Sequence, residues 1–290
     1  MPGGRLADDG NEFGRFLRAR REGTQPESVG LRGTGRRRVP GLRRDELAML
    51  SGISSEYYVR LEQGRNQNPS TQVLEALARA LRLDEAETAH LYRLSRPLPG
   101  PPPAPGGGVS PTIRGLLDAS PATPAFVTDR LHTVLAANSL AQRLSPAYRP
   151  GANLLRVLLL DPDVKGLYRD WEAEVEALVA ALRFAARAGK DPMLSRLVED
   201  LSGESAIFRA LWERHDARTL VDGTTVFDHD AGTLELAFEK LAVLSAPGAC
   251  PNSSGQYLTV FHAEPDSASA HRLASLAAER NHSEHGVVVG

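Results

Sequence analysis

No helix or strand can run through residues 96–108, because their sequence, RPLPGPPPAPGGG, consists almost entirely of proline and glycine. Proline fixes φ and lacks the backbone N–H, and glycine loses the most conformational freedom on ordering. Such a run predicts a semi-stiff linker, which we place at residues 97–110, between two separately folded parts. The length of 290 residues agrees, because a single hydrophobic core stops growing at about 250–300 residues.

Positive charge is concentrated in the part of the chain before this linker. Between Phe13 and Arg65 there are twelve arginines and six acidic residues, whereas from Gly100 onward there are 17 basic and 23 acidic residues. A basic N-terminal part followed by an acidic C-terminal part predicts that the N-terminal part binds a polyanion such as DNA. The alternative, which charge alone leaves open, is an uneven distribution of solvated surface residues.

The remaining composition is typical of a soluble protein. The apolar fraction is 41%, and the single cysteine, Cys250, excludes an internal disulfide. The N-terminus lacks the apolar core of a signal peptide, and the most apolar run, residues 153–161, is too short to span a bilayer. We therefore expect a cytoplasmic protein, associated with the nucleoid when bound to DNA, that has no membrane partner.

Five short amphipathic helices are predicted before the linker, in a domain that we place at residues 11–96. Ser54 or Ser55 is the predicted N-cap of the third helix, and Asp84 with Glu87 forms a predicted capping box for the fifth. Five helices in fewer than a hundred residues predict a compact all-α domain.

The second and third predicted helices, in RRDELAMLSGISSEYYVRLEQGR at residues 43–65, have the pattern of a helix–turn–helix. Gly52 can adopt the positive φ of the turn, while Tyr58 and Leu61 are expected to point inward. The outward side chains of the third helix can then enter the major groove and bind base edges. The predicted base-reading residues are Ser55, Glu56, Tyr57 and Arg60.

Basic and polar residues around this helix pair are predicted to contact phosphates, which position a protein on DNA without reading its sequence. Arg43 and Arg44 begin the second helix, where unpaired N–H groups favour an anion. An ordinary helical hairpin remains the alternative, with Glu56 as a residue favoured by the helix dipole. The predicted phosphate-contacting residues are Arg36, Arg37, Arg38, Arg43, Arg44, Ser54, Gln63, Arg65 and Asn66.

The part after the linker, residues 111–266, is predicted to be an α+β domain with an antiparallel sheet. One hairpin, at residues 124–138, opens the sheet, helical patterns follow to about residue 215, and three strands complete it. Those strands are predicted at residues 218–229, 233–245 and 256–264. Residues 267–290 form a tail that is predicted to be partly helical.

Both parts resemble one family of bacterial regulators. GLRRDELAMLSGISSEYYVRLEQGR resembles the DNA-binding domain of Xre-type regulators, in the form found in MmyB-like transcription regulators. TPAFVTDRLHTVLAANSLA and GTLELAFEKLAVLSAPG resemble the ligand-binding domain with a PAS-like fold that follows in that family. One departure is FDHDAGTLEL, because the family commonly has a His-Pro pair before its Gly-x-Leu-x-Leu strand.

The resemblance implies that the second domain binds a small, lipophilic, fatty-acid-like effector, in a cavity of the kind that forms between a sheet and its helices. Dimerisation on palindromic double-stranded operator DNA is expected, because one helix–turn–helix reads only a few base pairs. We expect neither a cofactor nor a metal. The predicted pocket residues, for which plain core packing is the alternative, are Phe126, Trp171, Phe208, Trp212, His215 and Tyr257.

Two other functions stay open. An enzyme would need convergent catalytic groups, but the run Asp228–Asp230 alternates between the faces of a strand. His282, Glu284 and His285 suggest a metal site only weakly, since they lie in the predicted tail. The second alternative is a ligand-free dimerisation or protein-interaction module with a fully packed core.

Overall fold

The computed structural model describes residues 11–31, 41–65, 68–95, 108–185, 191–243 and 255–278. The chain divides into two compact units, the first comprising Met1–Pro101 and Arg183–Thr219, and the second Pro102–Leu182 and Leu220–Gly290. Several residues and segments discussed above lie outside the described residues. They are Arg36–Arg38, Asn66, Cys250, His282, Glu284, His285, residues 96–107 of the linker region and the tail beyond Ala278.

The predicted N-terminal helical region is confirmed. Its helices are α1 (Glu12–Gly23), α2 (Arg44–Leu50), α3 (Ser55–Glu62), α4 (Thr71–Leu81) and α5 (Glu85–Ser95). The caps lie where the sequence places them, because the Ser54 hydroxyl accepts from the Tyr57 N–H at 3.1 Å and the Asp84 carboxylate accepts from the Glu87 N–H at 2.8 Å. Their apolar faces form one core, which includes Phe16, Leu17, Leu47, Tyr58, Leu61 and Leu77.

Two further helices belong to the first unit, α11 (Pro192–Glu204) and α12 (Ala206–Glu213). Arg20 of α1 holds the segment that follows α12, because its Nη2 donates to Asp216 Oδ1 at 2.8 Å and to the carbonyl of His215 at 2.7 Å. Arg20 Nη1 donates to Glu87 Oε1 at 2.7 Å. The end of the long helical pattern in the sequence is therefore joined to the N-terminal helices by a partly buried ionic network.

The second unit is built on a five-stranded antiparallel sheet, which confirms the predicted α+β fold. The strand order is β2-β1-β5-β4-β3. The strands are β1 (Ala125–Asp129), β2 (Val134–Ala137), β3 (Asp222–His229), β4 (Gly232–Val243) and β5 (Gln256–His262). The β3–β4 turn contains Asp230 and Ala231, and Gly232 follows it at φ 102°, a value that favours glycine.

Six helices surround this sheet: α6 (Pro111–Asp118), α7 (Ser139–Leu144), α8 (Leu154–Leu160), α9 (Pro162–Leu167), α10 (Trp171–Phe184) and α13 (Ala268–Ala278). α10 ends at Phe184, and residues 186–190 lie outside the described part. α6 packs on the sheet through Leu117 beside Val127 and Leu258. None of the helices in the described ranges is both long and apolar enough to cross a membrane.

Candidate functional site

The first turns of α3 present polar side chains to solvent. Ser55, Glu56 and Arg60 are exposed, whereas Tyr57 is half-buried and packs against the core. Tyr58 on the opposite side of the helix is completely buried. We call Ser55, Glu56 and Arg60 the reading face. Within the described part of the chain, these three side chains form no hydrogen bond or ion pair, so their polar groups are available to a partner.

A buried carboxylate at the end of α3 joins three helices. Glu62 Oε1 accepts hydrogen bonds from Arg21 Nε at 2.6 Å and from the Tyr58 hydroxyl at 2.8 Å, and Oε2 accepts from Arg44 Nε at 2.6 Å. Burial alone would raise the pKa of Glu62, but these donors outweigh burial and lower it. Glu62 is therefore ionised at neutral pH, and it fixes α3 against α1 and α2. Sequence reasoning missed this role, although Glu62 lies in the YYVRLEQGR motif.

The predicted phosphate-contacting residues fall into different environments. Arg44 remains half-exposed while its Nε pairs with Glu62, so that carboxylate orients its guanidinium. The backbone N–H of Arg43 donates to Glu46 Oε2 at 2.8 Å, which means that a carboxylate already caps the N-terminus of α2. Ser54 is exposed but caps α3, and Gln63 and Arg65 are exposed at its end.

The second unit contains a cavity of about 50 Å³ between the sheet and helices α8 and α10. Its apolar wall includes Phe126, Leu154, Leu158, Leu178, Phe238 and Phe261. Its polar wall includes Thr128, Tyr148, Tyr168, Glu174, Thr225 and Lys240. This combination of a mostly apolar wall and a few polar groups is typical of a small-molecule site.

Lys240 is the cationic residue in the lining of this cavity. Along β4, Leu234, Leu236 and Phe238 are buried, and Lys240 continues the same face two residues further on. The side chain as a whole is half-buried, but its cavity position removes the ammonium from bulk water and lowers its pKa to about 8. Its Nζ lies 4.8 Å from the centre of the Tyr257 ring, and it has no acidic partner among the described residues.

The carboxyl group of Glu174 and several hydroxyl groups complete the polar wall. The Tyr148 and Tyr168 oxygens lie 3.1 Å apart, and burial raises the pKa of Tyr168 to about 12, so both phenols keep their protons at neutral pH. The buried Thr128 hydroxyl has no hydrogen-bond partner among the residues that the structure describes. Buried polar atoms are nearly always paired, so this hydroxyl indicates a position where a ligand atom can bond.

The six residues predicted to line a pocket lie in different places. Phe126 lines the cavity. Trp171 is buried outside the lining, where its Nε1 donates to the carbonyl of Leu158 at 2.6 Å. Tyr257 also lies outside the lining, beside the ammonium of Lys240. The other three are in the first unit: Phe208, Trp212 and His215.

The residues that suggested an enzyme have structural partners. Asp228 Oδ1 accepts from Arg169 Nη2 at 2.5 Å. His229 Nδ1 accepts from the Ala231 N–H at 3.1 Å, while its Nε2 lies 3.1 Å from the carbonyl of Arg143. Both imidazole nitrogens are thus engaged with backbone groups. Over the described ranges, no cluster of three or more metal-ligating side chains occurs.

A helix–turn–helix with an exposed reading face, joined in one chain to a domain with an internal cavity, defines a ligand-binding DNA regulator. Residues 12–91 match a helix-turn-helix domain family, and residues 109–276 match the MmyB-like transcription regulator ligand binding domain. The second match covers more than half of the chain, and the chain therefore belongs to the family of MmyB-like transcription regulators. No curated protein matches it significantly.

Proposed function

We propose that this protein is a homodimeric, cytoplasmic transcription regulator that reads operator DNA with α3 and responds to a fatty-acid-like effector in the cavity of its second unit. The observation that best supports an effector site is the position of the Lys240 ammonium in the cavity wall. An ammonium in a mostly apolar wall, with no ion-pair partner in the described part of the chain, is costly to bury. An anionic amphiphile would complement both properties of the site.

The reading face supports the DNA half. Arg60 can donate two hydrogen bonds to guanine O6 and N7, Glu56 can accept from cytosine N4, and Ser55 can do either. Tyr57 is half-buried, so it contributes through its exposed edge. The Glu62 network holds this face at a fixed angle to α1 and α2, which suits insertion into a groove of fixed shape.

The cavity groups support an acidic head group on the effector. Lys240 can form a charge-assisted bond to a carboxylate, and the free Thr128 hydroxyl can donate a second bond. The apolar wall around Phe126 and Leu178 suits a hydrocarbon chain. A regulator of this kind needs no bound cofactor or metal, and we assign it no catalytic reaction.

One observation favours a second candidate function. The cavity of about 50 Å³ is smaller than the roughly 300–1,000 Å³ of most ligand sites. A nearly packed core is what a ligand-free dimerisation or protein-interaction module would have.

Thermal unfolding with palmitate and with its neutral counterpart hexadecanol separates these functions. An effector at a hundredfold excess over its Kd stabilises by about 2.7 kcal/mol, which raises the Tm by several degrees. We expect palmitate to raise the Tm more than hexadecanol, and Lys240→Met to abolish the difference. Lys165→Met is the matched control, because Lys165 lies on α9, 3.9 Å from the Trp171 ring and outside the lining. No shift with any amphiphile would support the module instead.

A further inference from the structure

We propose that the effector site has two chambers divided by Phe238: the cavity described above and a groove on its outer side. A long-chain acidic amphiphile would occupy both chambers after the Phe238 ring moves aside. This inference rests on the proposed effector function, and it adds the entry route and the part of the site that selects chain length.

The two spaces adjoin within the second unit. The groove has a volume of about 580 Å³ and lies between α10 and strands β3 and β4. Glu174, Leu220 and Phe238 line both the cavity and the groove, so these side chains form the wall between them. The cavity alone is too small for a long acyl chain, but the two spaces together fall within the roughly 300–1,000 Å³ of known ligand sites.

The ring of Phe238 lies over Gly223 of β3, its cross-strand neighbour, where any larger residue would fill the space of the ring. Phe238 pairs with Gly223 of β3, and a Cβ added to Gly223 would lie 2.8 Å from Phe238 Cε1. On its inner side the ring meets Phe261 edge-on, with centroids 5.9 Å apart. Phe238 is therefore held by one aromatic contact inside and by the bare backbone of Gly223 outside.

The surroundings allow this ring to move outward. β3 is the last strand of the sheet, and residues 222–224 are exposed, so a displaced ring would pass over solvent-facing backbone. Glu174 stays attached to β3, because the Thr225 hydroxyl donates to its Oε1 at 2.6 Å. Glu174 is thus fixed by a polar contact, and Phe238 is the larger of the two apolar wall residues.

The middle of the groove is lined by apolar side chains that can contact a hydrocarbon chain. Ala173 and Ala177 are one helical turn apart on α10 and leave a shallow channel opposite Val226 of β3. With the acid group at Lys240, a short carboxylate would fit the inner chamber, and a longer one would reach the groove. Chain length beyond the inner chamber should therefore add affinity through contacts at Ala177.

Stopped-flow binding of dansyl-labelled undecanoic acid tests the role of Phe238. If the ring must move before entry, Phe238→Ala raises the association rate constant by roughly tenfold, because a slow conformational step is removed. Leu158→Ala is the matched control, since Leu158 of α8 lines the cavity but does not line the groove. Phe238→Leu provides a milder variant if the alanine protein fails to fold.

Equilibrium titration with hexanoate and palmitate tests the groove. Ala177→Phe would fill the channel and weaken palmitate binding by roughly tenfold while leaving hexanoate unchanged. Glu172→Phe on the same helix, outside both linings, should change neither. Unchanged palmitate affinity in Ala177→Phe, equal association rates in wild type and Phe238→Ala, or the same acceleration in Leu158→Ala would each overturn the two-chamber site alone. No saturable binding to the wild-type protein would overturn the effector function itself.

Discussion

At the scale of single residues, Glu62 shows how one charge can determine the geometry of a DNA-reading helix. Its carboxylate is almost completely buried, and Arg21, with which it forms an ion pair, is also buried. A buried ion pair contributes little net stability, but removing one partner leaves an uncompensated charge in the core. The network therefore specifies the helix angle more than it adds stability.

Glu62→Gln should destabilise the N-terminal unit by about 3–5 kcal/mol, because the buried Arg21 guanidinium loses its counter-ion. Urea unfolding measures this loss. Glu56→Gln is the control, since Glu56 is exposed and its substitution should change stability by less than about 0.5 kcal/mol. Equal losses of unfolding free energy in the two variants would show that Glu62 has no special structural role.

Glu62 also predicts a pH dependence. Its folded pKa lies below the ordinary value of 4.5, so its contribution to stability is complete above pH 4.5 and is lost as the pH falls through the folded pKa. Acid titrations of unfolding should therefore be steeper in the wild type than in Glu62→Gln below pH 4.5. Parallel curves would contradict an ionised Glu62.

Arg60→Ala should weaken binding to the operator and leave binding to random DNA nearly unchanged. The expected loss is about 1–3 kcal/mol, since a bidentate guanine contact is specific to one base. Fluorescence anisotropy with both DNAs measures it, and Arg79→Ala, at an exposed arginine on α4, serves as control. Equal losses on operator and random DNA would assign Arg60 to phosphate contact instead.

Lys240 gives effector binding its own pH dependence. Its pKa of about 8 in the unliganded protein means that the ammonium is present below pH 8 and is lost above it. Affinity for palmitate should be constant from neutral pH to about pH 7.5 and should fall above pH 8, whereas affinity for hexadecanol should not change. Isothermal titration at several pH values tests this, and Lys240→Met should give a flat profile.

At the scale of elements, much of the fold follows from local sequence. The third and fifth helices begin at their predicted caps, and the β3–β4 turn lies at Asp230 and Ala231. Lys240 could also have been found, because it continues the inward alternation of Leu236 and Phe238 in β4. The pocket residues were instead predicted mainly from the size of aromatic side chains. Size does not distinguish a residue that lines a cavity from one that is packed in the core.

Other features depend on contacts between distant parts of the chain. Helices α11 and α12 have the same periodicity as α7 to α10, yet they pack in the first unit. This assignment depends on Arg20 and Asp216, which are far apart in the sequence and carry no local signal of pairing. Phe208 and Trp212 lie one helical turn apart on α12 and stack on each other in that unit, away from the cavity.

Asp216→Ala should loosen the segment after α12 by removing one of the partners of Arg20. The ion pair is largely shielded from solvent, and we expect a loss of about 1 kcal/mol and faster hydrogen exchange in α12, with α4 unchanged. Glu213→Ala, at an exposed residue of α12, is the control. Unaltered protection in α12 would show that apolar packing alone holds the segment.

At the scale of the whole molecule, effector binding and DNA reading are properties of different units. An effector changes DNA affinity only to the extent that it binds the DNA-competent arrangement of the protein more or less tightly than the alternative. Coupling of this kind is reciprocal, so the operator must change effector affinity by the same factor.

The most direct test is the operator affinity of the full chain with and without saturating palmitate, using an operator selected from a random-sequence DNA pool. The account predicts that palmitate changes the operator Kd of the wild type by about 5–150-fold, whereas Lys240→Met shows no change at the same concentration. Lys165→Met should respond like the wild type. An unchanged operator Kd, under conditions where thermal unfolding shows that palmitate is bound, would contradict the account.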